Sequence, residues 1–158
     1  MQTVYVMNEK EKALTGLFVV LLALGVGGYF GFKWLFPSEA DRLSTCRTAR
    51  SDVEGQFQNL DSQLHSLEFW ANQEKAWTSE DTTRVGSSLK NTKNELEETR
   101  SNVRTIAYNA GKLKKSDDLS TRLQADGYSK FATESSPKLD ALKARLDKVE
   151  QKLAERLQ

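Results

Sequence analysis

The sequence predicts an all-α protein with a single N-terminal transmembrane helix, a long antiparallel helical hairpin or coiled coil, and a shorter C-terminal helix. Residues 13–36 form the most apolar run in the chain and are long enough to cross a hydrocarbon core of about 30 Å as a helix. Apolar residues recur at alternating spacings of three and four in three later segments, which is the heptad pattern of packed helices. Only 2 prolines and 9 glycines occur among 158 residues, and so few turn-forming residues favour long helices.

The N-terminal part divides into a short polar tail, residues 1–12, and the transmembrane helix, residues 13–36. The apolar run carries one charge, Lys33, near its end. A signal peptide has a shorter apolar region of about 7–15 residues. We therefore expect an uncleaved anchor, although residues 38–40 loosely fit a cleavage site.

One face of the predicted transmembrane helix is lined with small residues. Ala23, Gly27 and Gly31 recur every four residues, and this spacing lets two membrane helices approach closely. We expect a membrane-level interface on this face, either between two copies or with a partner helix. The alternative is that these glycines reflect only the general frequency of glycine in membrane helices.

The residues that flank the run give conflicting signals for its orientation. Lys33, Arg42, Arg47 and Arg50 lie at or after its end, and a count of basic residues favours a cytoplasmic C-terminal domain. A short uncleaved tail before a first apolar segment, in contrast, usually stays inside the cell. We expect the second arrangement, a single-pass protein of a bacterial inner membrane with its C-terminal domain exported.

Residues 38–115 are predicted to form the helical hairpin, because two heptad patterns within them are out of phase. The slip lies beside the polar run 78–81, where Thr78 or Ser79 can cap a new helix. The alternative is one continuous rod paired with a second chain. The predicted seam of the first helix comprises Leu43, Cys46, Val53, Phe57, Leu60, Leu64 and Leu67, with the polar Arg50 at the heptad position between Cys46 and Val53. That of the second comprises Val85, Leu89, Thr92, Leu96, Thr99, Val103, Ile106, Ala110 and Leu113.

The remaining residues are predicted to form a linker with a short helix, 116–136, and a C-terminal amphipathic or coiled-coil helix, 137–158. Gly127 and several serines weaken the helical pattern of the linker, and Pro137 suits the first position of a helix. The seam of the C-terminal helix comprises Leu139, Leu142, Leu146, Val149 and Leu153.

Three aromatic residues near the predicted turn are candidates for partner docking. Phe69, Trp70 and Trp77 cluster there, and exposed aromatic side chains are typical binding anchors. The alternative is that their rings close the end of the hairpin core. Cys46 lies on the seam, where it is either a small buried residue or, in a parallel dimer, half of an interchain disulfide.

No catalytic, cofactor-binding or metal-ligating set is predicted. His65 has no cysteine or carboxylate partners at ligand spacing, and no phosphate-binding loop or nucleophile motif occurs. The 23 basic and 22 acidic residues are interspersed, which gives little support for nucleic-acid binding. The expected partners are membrane lipid and other membrane or envelope proteins, bound through coiled-coil contacts in a homo- or hetero-oligomer.

These features lead to the expectation of a non-enzymatic, membrane-anchored coiled-coil protein that acts as a structural or scaffolding subunit of a cell-envelope assembly. In architecture alone, the layout is similar to small coiled-coil proteins of division complexes and to inner-membrane assembly proteins of pilus or secretion systems. Two alternatives remain open. One is a phage-type, spanin-like lysis protein of the inner membrane, and the other is a membrane sensor or signalling bundle.

Overall fold

The computed structural model describes residues 37–154 and residue 156, and these residues form three long helices without a strand. Helix α1 spans Glu39–Ala71, α2 spans Ser79–Leu113 and α3 spans Leu119–Ala154. The all-α prediction is therefore confirmed for this part of the chain. The predicted tail at 1–12 and transmembrane helix at 13–36 lie outside the described residues, and none of the three described helices has the length and apolarity needed to span a bilayer.

Helices α1 and α2 form an antiparallel hairpin. Cys46 Sγ, near the start of α1, lies 3.8 Å from the carbonyl oxygen of Ile106, near the end of α2. Asn59 Nδ2, in the second half of α1, donates to Glu95 Oε1 at 2.6 Å in the first half of α2. These pairings confirm the predicted hairpin over the continuous rod, because a rod would leave the two segments out of contact within one chain.

Helix α3 packs on the hairpin antiparallel to α2. Arg100 Nη2 donates to Asp140 Oδ1 at 3.1 Å, and Lys114 Nζ lies 3.1 Å from Asp126 Oδ1. The helices have 33, 35 and 36 residues, so each is about 50 Å long at 1.5 Å per residue. We call the end of this bundle that carries Glu39, Leu113 and Leu119 the base, and the end that carries Ala71, Ser79 and Ala154 the tip.

The apolar seams of the three helices face one another and form the core. Fourteen seam residues of the hairpin and all five of the C-terminal seam are buried, while Leu43 and Phe57 are half-buried at the edge. In α1 the core includes Ala49 instead of the heptad position Arg50, which is exposed, pairs with Glu54 at 2.8 Å and lies over the ring of Phe131. The seam positions are thus covered within one chain.

The connection between α1 and α2 ends in a capping box at Thr78. The backbone N–H of Asp81 donates to Thr78 Oγ1 at 3.1 Å, and the N–H of Thr78 donates to Asp81 Oδ2 at 2.9 Å. Both bonds satisfy N–H groups that a helix start otherwise leaves without a partner. The bonds from Thr78 also hold the pKa of the Asp81 carboxyl below its usual value. The predicted cap at this position is confirmed for Thr78.

Replacing Thr78 by alanine is expected to lower the free energy of unfolding by about 1 kcal/mol, because the N–H of Asp81 loses its acceptor. Thr78→Ser is the matched control, since serine retains the hydroxyl and should stay within a few tenths of a kcal/mol of the parent. Urea denaturation followed by circular dichroism measures both. Equal losses in the two variants would contradict a capping role for the hydroxyl.

The segment between α2 and the C-terminal seam differs from the sequence prediction. A linker with a short helix was expected at 116–136, with a new helix from Pro137, but α3 runs unbroken from Leu119 to Ala154 and contains Pro137 in its interior. The predicted linker and the helix start at Pro137 are therefore wrong. Burial of Thr121, Ala125, Ala132 and Ser135 against the hairpin explains the difference, because small residues pack there without any large apolar signal in the sequence.

Pro137 lies in the interior of this helix, on its solvent face. A proline inside a helix removes one backbone hydrogen bond and crowds the preceding turn. The ring of Pro137 is exposed, and the neighbouring Ser136 Oγ donates to the carbonyl of Ala132 at 3.1 Å. The packing of the core on both sides of Pro137 keeps the helix continuous.

Candidate docking site

The aromatic cluster predicted from the sequence lies at the tip, on the last turn of α1 and the loop that follows it. The ring of Trp70 lies between those of Phe69 and Trp77, with centroid distances of 6.2 and 5.9 Å and interplanar angles of 77° and 89°. Such edge-to-face pairs are favourable beyond the area they bury. We call these three residues the tip cluster.

The members of the tip cluster differ in their exposure. Trp70 and Trp77 are half-buried and pack against the core, so these two rings close the end of the bundle. Phe69 points outward, with 63% of its surface exposed. The two tryptophans therefore fit the interpretation that the rings close the end of the core. Phe69 fits the docking interpretation, because its apolar face is exposed to a partner.

Two arginines border the tip cluster. The guanidinium of Arg84 lies 6.0 Å from the ring centroid of Trp70, and that of Arg156 lies 5.4 Å from the ring centroid of Trp77. Within residues 37–154 and 156, Trp77 Nε1 and Arg156 Nη1 are buried side-chain donors without a hydrogen-bond acceptor. Buried donors without acceptors lower stability, so the tip is the part of the described chain whose polar groups are least satisfied.

Arg145 connects α3 to α1 below the tip, and it was not among the site residues predicted from the sequence. Its guanidinium donates to both carboxylate oxygens of Glu68 at 3.1 Å and to Asp61 Oδ1 at 2.6 Å. The bonds to Glu68 and Asp61 raise the pKa of Arg145, and the bond from Arg145 lowers the pKa of Asp61. Helices α1 and α3 are parallel, because each is antiparallel to α2. In the sequence, this role was indicated by the position of Arg145 directly before the seam residue Leu146.

Polar groups also connect the middle of the hairpin. Thr92, which is fully buried on the seam of α2, donates through Oγ1 to Gln63 Oε1 at 2.8 Å. Gln63 Nε2 in turn donates to Glu95 Oε2 at 2.6 Å. Thr92 Oγ1 also lies 2.8 Å from the carbonyl oxygen of Ser88, one turn earlier on its own helix, and Thr99 Oγ1 likewise donates to the carbonyl of Glu95 at 2.7 Å.

Cys46 lies in a small core cluster at the base. It is fully buried and packs with Leu113 and Ala125. Burial raises the pKa of its thiol, which opposes formation of the reactive thiolate. This environment favours the interpretation of Cys46 as a small apolar residue of the core over that of an interchain disulfide.

The structure brings together no set of residues with the geometry of a metal site in its described part. Residues 37–154 and 156 contain no group of three or more histidine, cysteine or acidic side chains placed to hold a metal ion. His65 is exposed, and its Nδ1 lies 2.9 Å from the carbonyl oxygen and 3.6 Å from the carboxylate Oδ2 of Asp61 on the preceding turn, so the expectation that it has no carboxylate neighbour is wrong. The predicted membrane-helix interface of Ala23, Gly27 and Gly31 lies outside the described residues.

Two exposed leucines near the base were also missed. Leu119 and Leu123 were assigned to the short linker helix and given no role, but both lie on the outer face of α3 with about 62% and 63% of their surface exposed. Their spacing of four places them on one face, opposite Thr121 and Ala125. The outward orientation of Leu119 and Leu123 could be recognised only once the buried face of α3 was known.

Comparison with known proteins found no relative from which a function could be inferred. No family model matches the sequence, and no match was found among curated proteins or solved structures. The observations that bear on function are therefore the apolar run in the sequence, the bundle that follows it and the chemical difference between the base and the tip.

Proposed function

We propose that the chain is a non-enzymatic, single-pass membrane protein whose three-helix bundle is a rigid spacer in a cell-envelope assembly. One observation carries this proposal: the two ends of a bundle about 50 Å long differ in chemistry. The base follows an apolar run of membrane-spanning length after only two residues, and the tip carries the exposed ring of Phe69. The chain would thus connect a docking site to the bilayer through a bundle of fixed length.

The internal packing of the bundle supports the spacer role. Its core extends along all three helices, and Arg145 joins α1 to α3 through Glu68 and Asp61. Because the seam residues are covered within one chain, a partner would contact other surfaces first. Phe69 is the large apolar side chain exposed at the tip, and aromatic side chains are frequent anchors of protein interfaces.

The test combines an extraction experiment with site-specific crosslinking of the full chain in the cells that produce it. The full chain is expected to stay in the membrane fraction in alkaline carbonate, whereas a variant that lacks residues 13–36 is released. A photo-crosslinking amino acid at Phe69 is expected to capture a discrete partner. The same group at Gln58, which is exposed on α1 away from the tip, is the matched control and should capture little.

The outcomes separate the proposal from its competitors. Release of the full chain by carbonate would contradict the membrane anchor and therefore the proposed function. Equal capture of a partner by crosslinkers at Phe69 and Gln58 would contradict the docking role of the tip. Capture of an outer-membrane lipoprotein, together with cell lysis on expression, would instead support the phage-type lysis function.

A further inference from the structure

A groove lies between the end of α1 and the second half of α3, beside the tip cluster. It holds a cavity of about 310 Å³, which is at the small end of the range of ligand pockets. We call it the tip groove. Its walls are formed by Glu68, Ala71 and Asn72 at the end of α1 and by Arg145, Lys148 and Lys152 along α3.

The floor of the tip groove is apolar. Val149 also lines the groove, and its side chain is buried in the core of the bundle. Ala71 is half-buried and packs against the same core. Because the side chain of Ala71 ends at Cβ, it leaves space between the two helices. The floor therefore offers room for an apolar side chain of a ligand.

One set of charges in the tip groove is occupied within the chain. The two carboxylate oxygens of Glu68 accept from Arg145 at 3.1 Å, and Asp61 accepts from Arg145 at 2.6 Å. Counted with Asp61, the groove carries three basic and two acidic side chains. Because Arg145 is shared by both acids, the charges that remain for a ligand are those of Lys148 and Lys152.

These two lysines have no acidic partner in the described part of the chain. Lys152 Nζ donates to the neutral side chain of Asn72 at 3.0 Å, which holds the ammonium at the edge of the groove. Lys148 is exposed and forms no ion pair within residues 37–154 and 156. Residues four apart share one face of a helix, so both ammonium groups border the same apolar floor.

The other acids near this end do not offset the two lysines. Along α3, Asp147 pairs with Lys143, and Glu150 pairs with Lys93 of α2. The remaining charges come as neighbours of opposite sign in the sequence, namely Glu74 with Lys75 and Glu155 with Arg156.

The helix dipole accounts for only one of the two lysines. Cations are favoured within the last turn of a helix, and the effect fades beyond it. Lys152 lies in the last turn of α3, whereas Lys148 lies more than one turn before its end at Ala154. The charge of Lys148 beside the apolar floor is therefore not explained by the stability of the helix.

The tip groove is continuous with the exposed ring of Phe69. The backbone N–H of Asn72 donates to the carbonyl of Glu68 at 3.1 Å, so the helical turn continues to Asn72. Phe69 and Asn72 are three positions apart and are neighbours on this turn. An aromatic side chain, an apolar slot and two ammonium groups thus form one surface, and an apolar centre with a polar rim is the usual anatomy of a protein interface.

We propose that the tip groove and Phe69 bind an acidic segment of a partner protein, with its carboxylates on Lys148 and Lys152 and an apolar side chain on Ala71 and Val149. The proposal rests on the docking role of the tip in the proposed function, and it adds the chemistry of the partner. Charge complementarity selects the acidic segment, because the two cations that the chain leaves without acids lie at the rim of the apolar slot.

The test measures the binding of labelled peptides to the full chain in a nonionic detergent by fluorescence anisotropy. The probe is a rhodamine-labelled peptide of sequence Glu-Glu-Leu-Glu-Glu-Leu, and the control probe has glutamine in place of each glutamate. The acidic peptide is expected to bind about tenfold more tightly than the control, and the variant K148E/K152E should weaken its binding about tenfold through like-charge repulsion.

The matched control variant is K112E/K115E, which changes the net charge by the same amount at the base. Its effect on the binding of the acidic peptide should stay below about twofold, because charges separated by more than a Debye length are screened. All four lysines are exposed, and circular dichroism of both variants should show the helical content of the parent chain.

The outcomes separate this proposal from the proposed function. Equal binding of the two peptides, or equal losses in the two double variants, would overturn the acidic segment while leaving the results of carbonate extraction and of crosslinking at Phe69 unaffected. Binding of soluble dihexanoylphosphatidylglycerol that depends on Lys148 and Lys152, without peptide binding, would assign the groove to a lipid headgroup and also overturn it. Lysine-dependent peptide binding in a chain that carbonate releases from the membrane would contradict the anchored spacer but support the acidic ligand.

Discussion

Leu60→Ala is expected to lower the free energy of unfolding of the bundle by about 3 kcal/mol, within the range of 2–5 kcal/mol typical of buried leucines. Leu60 is fully buried near the middle of α1, among seam residues of all three helices. Its truncation removes apolar contacts and leaves a cavity that the surrounding helices fill only in part. Urea denaturation of the fragment 37–158, followed by circular dichroism, measures the change.

The matched control is Leu119→Ala, which removes the same atoms from a side chain that is about 62% exposed. Its effect is expected to stay within about 0.5 kcal/mol, as for most surface substitutions. A similar loss in both variants would contradict the assignment of the inward and outward faces. A compact fragment with strands, or one without helical content, would contradict the fold as a whole.

Pro137→Ala is expected to raise the free energy of unfolding by about 1–3 kcal/mol, because alanine restores a backbone hydrogen bond and removes the clash with the preceding turn. The gain is reduced by roughly 0.4–1 kcal/mol, since loss of proline also frees the unfolded chain. Pro137 lies in the interior of α3, with its ring exposed, so the substitution disturbs no core contact. The same denaturation experiment measures it.

Gly127→Ala provides the matched control in the half of α3 that the sequence assigned to a linker. A Cβ at Gly127 meets no atom within 4 Å, so alanine should stabilise a continuous helix by about 1 kcal/mol through its propensity. Both variants should therefore be stabilised. If the helix instead began at Pro137, where proline is favoured at the first position, Pro137→Ala would be neutral or destabilising and Gly127→Ala would gain nothing.

The helical character, the hairpin and most of the core could be predicted from local pattern. The spacing of Leu60, Leu64 and Leu67 along α1 reports a buried helix face directly, because large apolar residues recur with the period of the helix. The cap at Thr78 was also readable, since a capping box is made by residues three positions apart. These features depend on neighbours in sequence.

The continuity of α3 could not be predicted from the local sequence pattern. Glycine, serines and a proline lower the local helix propensity of residues 116–137. Their helix exists because Ala125, Ala132 and Ser135 pack against the hairpin, and tertiary packing contributes most of the stability of helices in proteins. The predicted docking residues also divided through tertiary packing, since Trp70 and Trp77 pack against the core whereas Phe69 is exposed.

By itself, the sequence determined that an apolar run of membrane-spanning length precedes a chain of long amphipathic helices, and where the first two helices meet. Only the tertiary structure decided that the third helix is unbroken, that the seams close on one another within one chain, and that Arg145 joins α3 to Asp61 and Glu68 on α1. This difference between what the sequence determined and what the tertiary structure decided has one physical reason. Periodicity along a helix records which face is buried, but the identity of the covering surface is set by side chains about 80 residues away in the chain, as in the pairing of Arg145 with Glu68.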